Sequence, residues 1–199
     1  MNNNISTNTL LLLANGFEVL EASAFIDVLG WNRLEGDGST KLTTCGKTRE
    51  IKSSFGQTWK SDILLKDVRI EEYTALAIPG GFEEFEFYED AFSKEFSEII
   101  KRFHSVGKPI FSICTGALPI AKSGILEGKV ATTYSKSRIR IDMLEGFGVK
   151  VSIDRICKSN NITTSADPST ALEVAFLLLE SLTSVKNTYK VKSLMGFSV

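Results

Sequence analysis

Histidine is nearly absent from this chain: one residue, His104, stands among 199. A centre built from several imidazoles, as many zinc sites are, has no ligands to draw on. Proline is scarce too, with four residues, and no proline-rich linker or low-complexity stretch interrupts the chain. The three cysteines, Cys45, Cys114 and Cys157, are odd in number and lack CxxC spacing. They fit neither a disulfide framework nor a cysteine-ligated metal, and a reducing compartment is the simpler setting. Charge of one sign is also missing. A formal net charge of −1 gives no long-range pull toward nucleic acid or an anionic membrane. No apolar run reaches the ~20 residues that a spanning helix needs. The Asn-rich start, Met1 to Thr9, lacks the basic and apolar regions of a signal peptide and reads as a loose lead. The expectation is a cytoplasmic protein with no metal and no nucleic-acid or membrane partner.

What is present suits one folded domain, taken to run over residues 10–199. The composition, 43% hydrophobic and 24% charged, is ordinary for a globular protein. A chain of this size buries about 70% of its unfolded surface, enough for a core without staples. Leu10 to Ala14 is a short apolar run ending at Asn15-Gly16, the pattern of a buried parallel strand and a tight turn. From Val19 to Trp31 apolar residues recur at helical spacing. Lys41 to Cys45 reads as a second strand, and Lys47 to Leu65 as a hairpin or edge excursion. Ala75 to Ile78 is a buried strand stopped by Pro79-Gly80-Gly81. An acidic, aromatic loop follows (Phe82 to Asp90), then a helix through about Val106.

Ile110 to Ile113 is the next strand, and Thr115 to Ser123 has helical character, with Pro119 near its start where a missing N–H costs least. Val149 to Ile153 and Ile162 to Thr164 are further strand candidates with a turn at Lys158 to Asn161. Thr170 to Leu182 is an apolar closing helix. Alternating strands and helices predict a mostly parallel α/β sheet covered on both faces.

Cys114 is the strongest candidate for chemistry. It stands between a buried strand and a helix opened by Thr115-Gly116-Ala117. A nucleophile there points out at the carboxyl end of the sheet, where open α/β sheets bind ligands. The N-terminal N–H groups of the helix are expected to favour thiolate over thiol. The alternative is a buried, inert cysteine, a common state for this residue type. Gly80 and Gly81 end the neighbouring strand, and their amides, with that of Thr115, are candidates for an oxyanion hole. A plain strand-ending turn would look the same. Glu18 and Glu21, three apart in the first turn of a helix, arrive at the same sheet edge. Acidic residues there also suit the helix dipole without any further role.

Together these segments carry a family resemblance. Asn15-Gly-Phe-Glu-Val-Leu-Glu21, Ile78-Pro-Gly-Gly81, Ser112-Ile-Cys-Thr-Gly-Ala117, Ala131-Thr-Thr-Tyr134 and Thr164-Ser165 through Pro168 resemble, in order and spacing, the ThiJ/PfpI superfamily of the class I glutamine amidotransferase-like fold. The resemblance runs from about Leu10 to Leu182. It implies a flavodoxin-like three-layer sandwich with a nucleophile elbow, usually a homodimer, and a small-molecule substrate without a cofactor. It also implies that Glu21, not Glu18, is the protonated carboxyl beside the cysteine. Members with peptidase-like triads carry histidine where this chain has Thr115, and deglycase-like members carry it where this chain has Tyr134. His104 precedes the whole Cys114 strand, which puts it roughly 15 Å from the sulfur at the opposite sheet edge. A Cys–His protease mechanism is therefore excluded.

The expected activity is attack by Cys114 on a small electrophilic carbon, by hydrolysis, hydration or glyoxalase- or deglycase-like carbonyl chemistry. Glu21 would relay the proton, with auxiliary roles for Tyr134 and Glu18. A redox-sensing protein with an oxidisable Cys114, or a silent binding domain, are the alternatives. Asp167 reads as a helix cap. The acidic loop, if it covers the site, should disfavour anions.

Overall fold

Alternate residues of the first strand point to opposite faces, and both faces are buried. That alternation organises the fold. The computed structural model describes residues 7–198. In chain order the main elements are β1 (Thr7–Leu13), α1 (Val19–Glu35), β2 (Thr40–Gly46), β3 (Glu50–Lys52), β4 (Thr58–Lys60), β5 (Ile63–Leu64), β6 (Ala75–Ile78), α2 (Phe87–Ala91), α3 (Lys94–Ser105) and β7 (Ile110–Ser112). They continue with α4 (Ala117–Lys122), β8 (Val130–Ala131), α5 (Arg138–Gly146), β9 (Lys150–Val151), β10 (Ile156–Ser159), β11 (Ile162–Ser165), α6 (Ala171–Leu182) and α7 (Val185–Leu194).

The central sheet has the order β10-β11-β7-β6-β1-β2-β5. All its pairs are parallel except β10 with β11. Taking β1, β2, β6, β7 and β11 as the successive main strands, the order is 2-1-3-4-5, that of flavodoxin-like sheets. Leu10 and Leu12 pack with Leu76, Ile78 and Ile110 under α3 and α4, through Phe96, Ile100, Phe103 and Leu118. Leu11 and Leu13 pack on the other face with Ala75, Ala77 and Ile113 beneath α1 and α6, through Phe25, Val28, Val174 and Leu178. The result is a three-layer α/β sandwich.

Several expectations shift. β1 begins at Thr7, three residues inside the expected lead, because Thr7 to Leu13 pair along β2 in register. Residues 1–6 of that lead lie outside the described residues. The acidic segment after β6 is partly helical, since Phe87 and Ala91 recur at i, i+4 and both enter the core. The strand before β11 is β10, paired antiparallel through a turn at Asn160, whose φ is +55°. The expected Val149 strand is the short β9, which pairs with β8 in a separate small sheet. Finally, α6 does not close the chain. α7 follows and buries Val191, and Asn187 Nδ2 donates to the buried Asn32 of α1 at 2.6 Å. Its lysine-rich sequence left only a narrow apolar stripe to read. Between β2 and β5 the expected excursion is the β3–β4 hairpin.

Candidate active site

Because β1, β6 and β7 are parallel neighbours, the turns that follow them share one sheet edge. Cys114 lies directly after β7 with φ +53°, left-handed backbone that a residue with a Cβ enters at a cost of about 1–3 kcal/mol. Thr133 Oγ1 donates to its carbonyl at 3.1 Å and helps to hold the elbow. Gly116 is required by close packing, since a Cβ there would come within 2.6 Å of the Ile78 carbonyl oxygen.

Glu21, from the first turn of α1, is fully buried. Its Oε2 accepts the Gly80 N–H at 2.5 Å. Oε1 has no donor among the described residues, and the carboxyl lies within reach of the Cys114 sulfur and the Glu18 carboxyl. Burial, reinforced by Glu18, holds Glu21 well above the usual carboxylate range. A carboxylate could only accept at Oε1, whereas a carboxylic acid can donate there, to the sulfur or to Glu18. The half-buried Glu18 is itself pushed up by burial.

Cys114 departs from the expected depressed pKa. Burial pushes its thiol well up and the Glu21 charge adds to this, while the Thr115 backbone N–H at the sulfur pulls the other way. α4 spans only Ala117–Lys122, so its dipole is weak against the loss of water. The Glu21 charge raises the proton affinity of Cys114, whereas the hydrogen bond with Cys114 lowers that of Glu21, so the two groups titrate as a linked pair.

The two glycine amides of the expected oxyanion hole are already engaged, while the Thr115 N–H lies at the Cys114 sulfur. The Gly80 N–H is given to Glu21, and the Gly81 N–H is given to Thr115 Oγ1 at 2.9 Å. That hydroxyl in turn donates to the Gly81 carbonyl at 2.9 Å. The two glycines serve close approach. A Cβ on Gly80 would come within 2.6 Å of Thr115 Oγ1, and one on Gly81 within 2.2 Å of the Gly16 carbonyl. Backbone bonds close the same seam, Glu18 N–H to Gly80 O at 2.8 Å and Phe82 N–H to Gly16 O at 3.0 Å.

A cavity of about 300 Å³ opens on this edge, and its walls include Glu18, Gly81, Cys114, Thr115 and Tyr134. Phe82, Glu84, Ser137, Arg140 and Pro168 complete it. Arg140 is the residue that sequence reasoning missed. It reaches the cavity from α5, whose Ser137 cap accepts the Arg140 N–H at 3.4 Å. The alternation of Ser-Arg-Ile-Arg-Ile hid this helix, and Ser137 as an N-cap was the signal available. Of the acidic loop, Phe82 and Glu84 line the cavity, while Glu83 pairs with Arg140 at 2.8 Å. The loop therefore brings a cation alongside the site.

His104 is at the other edge of the sheet, its Nδ1 3.1 Å from Asn161 Oδ1 in the turn before β11. Asp167 accepts the Ser169 N–H as a cap. Cys45 is fully buried and its thiol is pushed up to about 12, chiefly by loss of water. A larger groove of about 620 Å³, between the β3–β4 hairpin and the acidic segment, contains neither cysteine nor histidine. Among the described residues no cluster of three His, Cys, Asp or Glu side chains could hold a metal. No helix among them is long and apolar enough to cross a membrane.

Residues 7–181 match the model of the DJ-1/PfpI family. The chain belongs to the DJ-1/PfpI family. A deglycase of Pyrococcus horikoshii is 30% identical over 162 residues, covering 80% of this chain and 90% of that protein. The DJ-1 homolog B of Arabidopsis thaliana is 28% identical over 172 residues, 86% of this chain, but the chain spans only 37% of that longer protein. The crystal structure of Drosophila melanogaster DJ-1beta superposes with a TM-score of 0.84 at 24% identity, covering 98% of this chain and all of the other. The flavodoxin-like fold read from the DJ-1/PfpI motifs is thus shared along the whole described chain.

Proposed function

We propose that this DJ-1/PfpI chain is a cysteine-dependent enzyme acting on small reactive carbonyl compounds, with 2-oxoaldehydes as the first substrates to test. One observation carries the reading: a left-handed Cys114 opens on a small cavity with the fully buried Glu21 carboxyl beside it. The similarity to a protein named as a deglycase supports the same chemistry.

In this mechanism Cys114 gives its S–H proton to water, and the thiolate sulfur adds to the aldehyde carbon. The C=O electron pair moves to oxygen, which takes the Glu21 proton and so needs no separate oxyanion hole. Glu21, now a carboxylate, removes the hydrogen from that carbon to give an enediol. Reprotonation at the neighbouring carbon leaves a thioester, and water releases a 2-hydroxy acid and the thiol. Glu18 and Tyr134 line the cavity and shape the substrate's approach.

Turnover of methylglyoxal by the purified protein tests this. Cys114→Ser should abolish it, and Glu21→Gln should lower it by about 10²-fold or more. Equal turnover in Cys114→Ser overturns the reading. The homodimer implied by the resemblance has a candidate face on α1, where Leu20, Trp31 and Leu34 are exposed. Sedimentation of a Leu34→Glu variant as a monomer, against a dimeric parent, would support it.

A redox role uses the same geometry. Cys114 opens on a cavity whereas Cys45 is sealed in the core, and a carboxylic acid and an N–H at the sulfur suit a sulfinate. Mild peroxide should then add two oxygens to Cys114 and spare Cys45 and Cys157. Equal oxidation of all three would rule this out.

A further inference from the structure

We propose that Arg140 is the specificity-determining residue of the Cys114 cavity, selecting small electrophiles that carry a carboxylate next to the reacting carbon. The proposal rests on the reading of Cys114 as the nucleophile and adds the substrate class.

Among the described residues lining the cavity, Arg140 is the one cation. Its side chain is 15% exposed, against 72% for Arg138 two residues earlier on the same helix. The guanidinium is 5.0 Å from the Tyr88 ring centroid, which holds its plane without using its N–H donors. One nitrogen, Nη2, reaches Glu83, and among the described residues the other guanidinium N–H groups have no hydrogen-bond acceptor. Arginine presents its donors as a planar fork that matches a carboxylate two-point fashion. Donors of this strength lining the cavity, with only one in use, describe a half-filled site.

The partner it does have is replaceable. The Glu83 side chain is 65% exposed, and ion pairs open to water on one side contribute little. A substrate carboxylate inside the cavity would exchange for it and meet a drier, stronger interaction. The glycine amides of the site are engaged, Gly80 by Glu21 and Gly81 by Thr115, and the Thr115 N–H lies at the reacting sulfur, so Arg140 is the donor placed away from it.

Glu83 and Glu84 both act on Arg140, but both are exposed to solvent, which screens them, and burial raises the proton affinity of Glu18. At about 300 Å³ the cavity is at the small end of ligand sites. A molecule of a few carbons, with its carbonyl at Cys114 and its carboxylate at Arg140, fits that description.

The test uses two alkylating reagents of nearly equal size, iodoacetate with a carboxylate and neutral iodoacetamide. In both, the Cys114 thiolate displaces iodide and forms one S–C bond. The readout is the ratio of their rates at Cys114, by mass spectrometry of the native protein. Arg140→Gln should lower the iodoacetate-to-iodoacetamide ratio about 10-fold, the effect of losing one charged hydrogen-bonding partner. Arg140→Lys should restore part of it. Glu83→Gln, at an exposed position, should raise it severalfold. A ratio unchanged in both Arg140→Gln and Glu83→Gln overturns the proposal. Because the readout is alkylation, it stands apart from catalysis. A protein inactive on methylglyoxal that still shows the ratio change would refute turnover of neutral 2-oxoaldehydes and keep the carboxylate site.

Discussion

Glu21 Oε2 accepts the amide proton of Gly80 at 2.5 Å, joining the first turn of α1 to the turn after β6 across 59 residues of sequence. This bond satisfies one oxygen of a fully buried carboxyl, and it is why the glycine amide beside the nucleophile is not free. Structure and chemistry compete for the same donor, and structure holds it.

The burial of Glu21 makes stability depend on pH with a definite sign. Its pKa in the fold lies well above the ordinary 4.5. The folded chain therefore keeps a proton that the unfolded chain loses. That contribution is complete below about pH 4.5 and is lost as pH rises toward the folded value, with a slope of at most about 1.4 kcal/mol per pH unit. Glu21→Gln keeps an acceptor for Gly80 and removes the ionisation. Urea denaturation from pH 5 to 8 should show the variant flatter with pH than the parent, and more stable at the upper end. Parallel curves would mean Glu21 does not hold its proton.

Cys114 should alkylate without reaching a plateau by about pH 9, because burial and the Glu21 charge both push its thiol up. Glu21→Gln removes that charge and should shift the rate profile to lower pH. Cys45, with its thiol pushed up to about 12 and no exposure, should react only on unfolding. A Cys114 profile that levels off below the free-thiol value of about 8.5 would show that the elbow's N–H groups outweigh burial.

Thr115 holds the Gly81 peptide through both of its polar atoms. Thr115→Val would leave a buried N–H and C=O without partners, and should destabilise the protein by about 1–3 kcal/mol per group. Thr115→Ser keeps the hydroxyl and should recover most of the loss. Chemical denaturation of the two variants decides between this bonding role and simple side-chain packing, which Val would satisfy better than Ser.

The glycines divide by what a methyl group would meet. Gly81→Ala puts a Cβ 2.2 Å from the Gly16 carbonyl oxygen and should cost at least about 1–3 kcal/mol. Gly30 sits within α1 with nothing within 4 Å of such an atom, so Gly30→Ala should stabilise by about 0.5–1 kcal/mol. Thermal melts of the pair give opposite signs if the packing argument holds.

The sequence by itself determined the central strands β1, β2, β6, β7 and β11, the sheet's two buried faces, and the turns that meet at its edge. Ala75 to Ile78 was legible because four apolar residues stopped by Pro-Gly-Gly admit few other readings. Cys114 and the turn that holds Glu18 and Glu21 followed from topology, since parallel neighbours must bring their C-terminal turns together, and the choice of Glu21 came from the family resemblance. The exclusion of His104 followed from the same rule, and its contact with Asn161 bears it out.

Only the tertiary structure decided how the edge works. Whether the Gly80 and Gly81 amides face a substrate or a side chain depends on partners 59 and 34 residues away, and local pattern carries no record of them. The same holds for Arg140, which meets Glu83 across 57 residues from a helix whose sequence alternates like a strand. Periodicity is written within some ten residues, and it fixes which side of an element is buried. The direction of each donor, the water lost around Cys114 and the charge that faces it are set by packing between distant segments. That is why the fold was readable in advance and the electrostatics of its site were not.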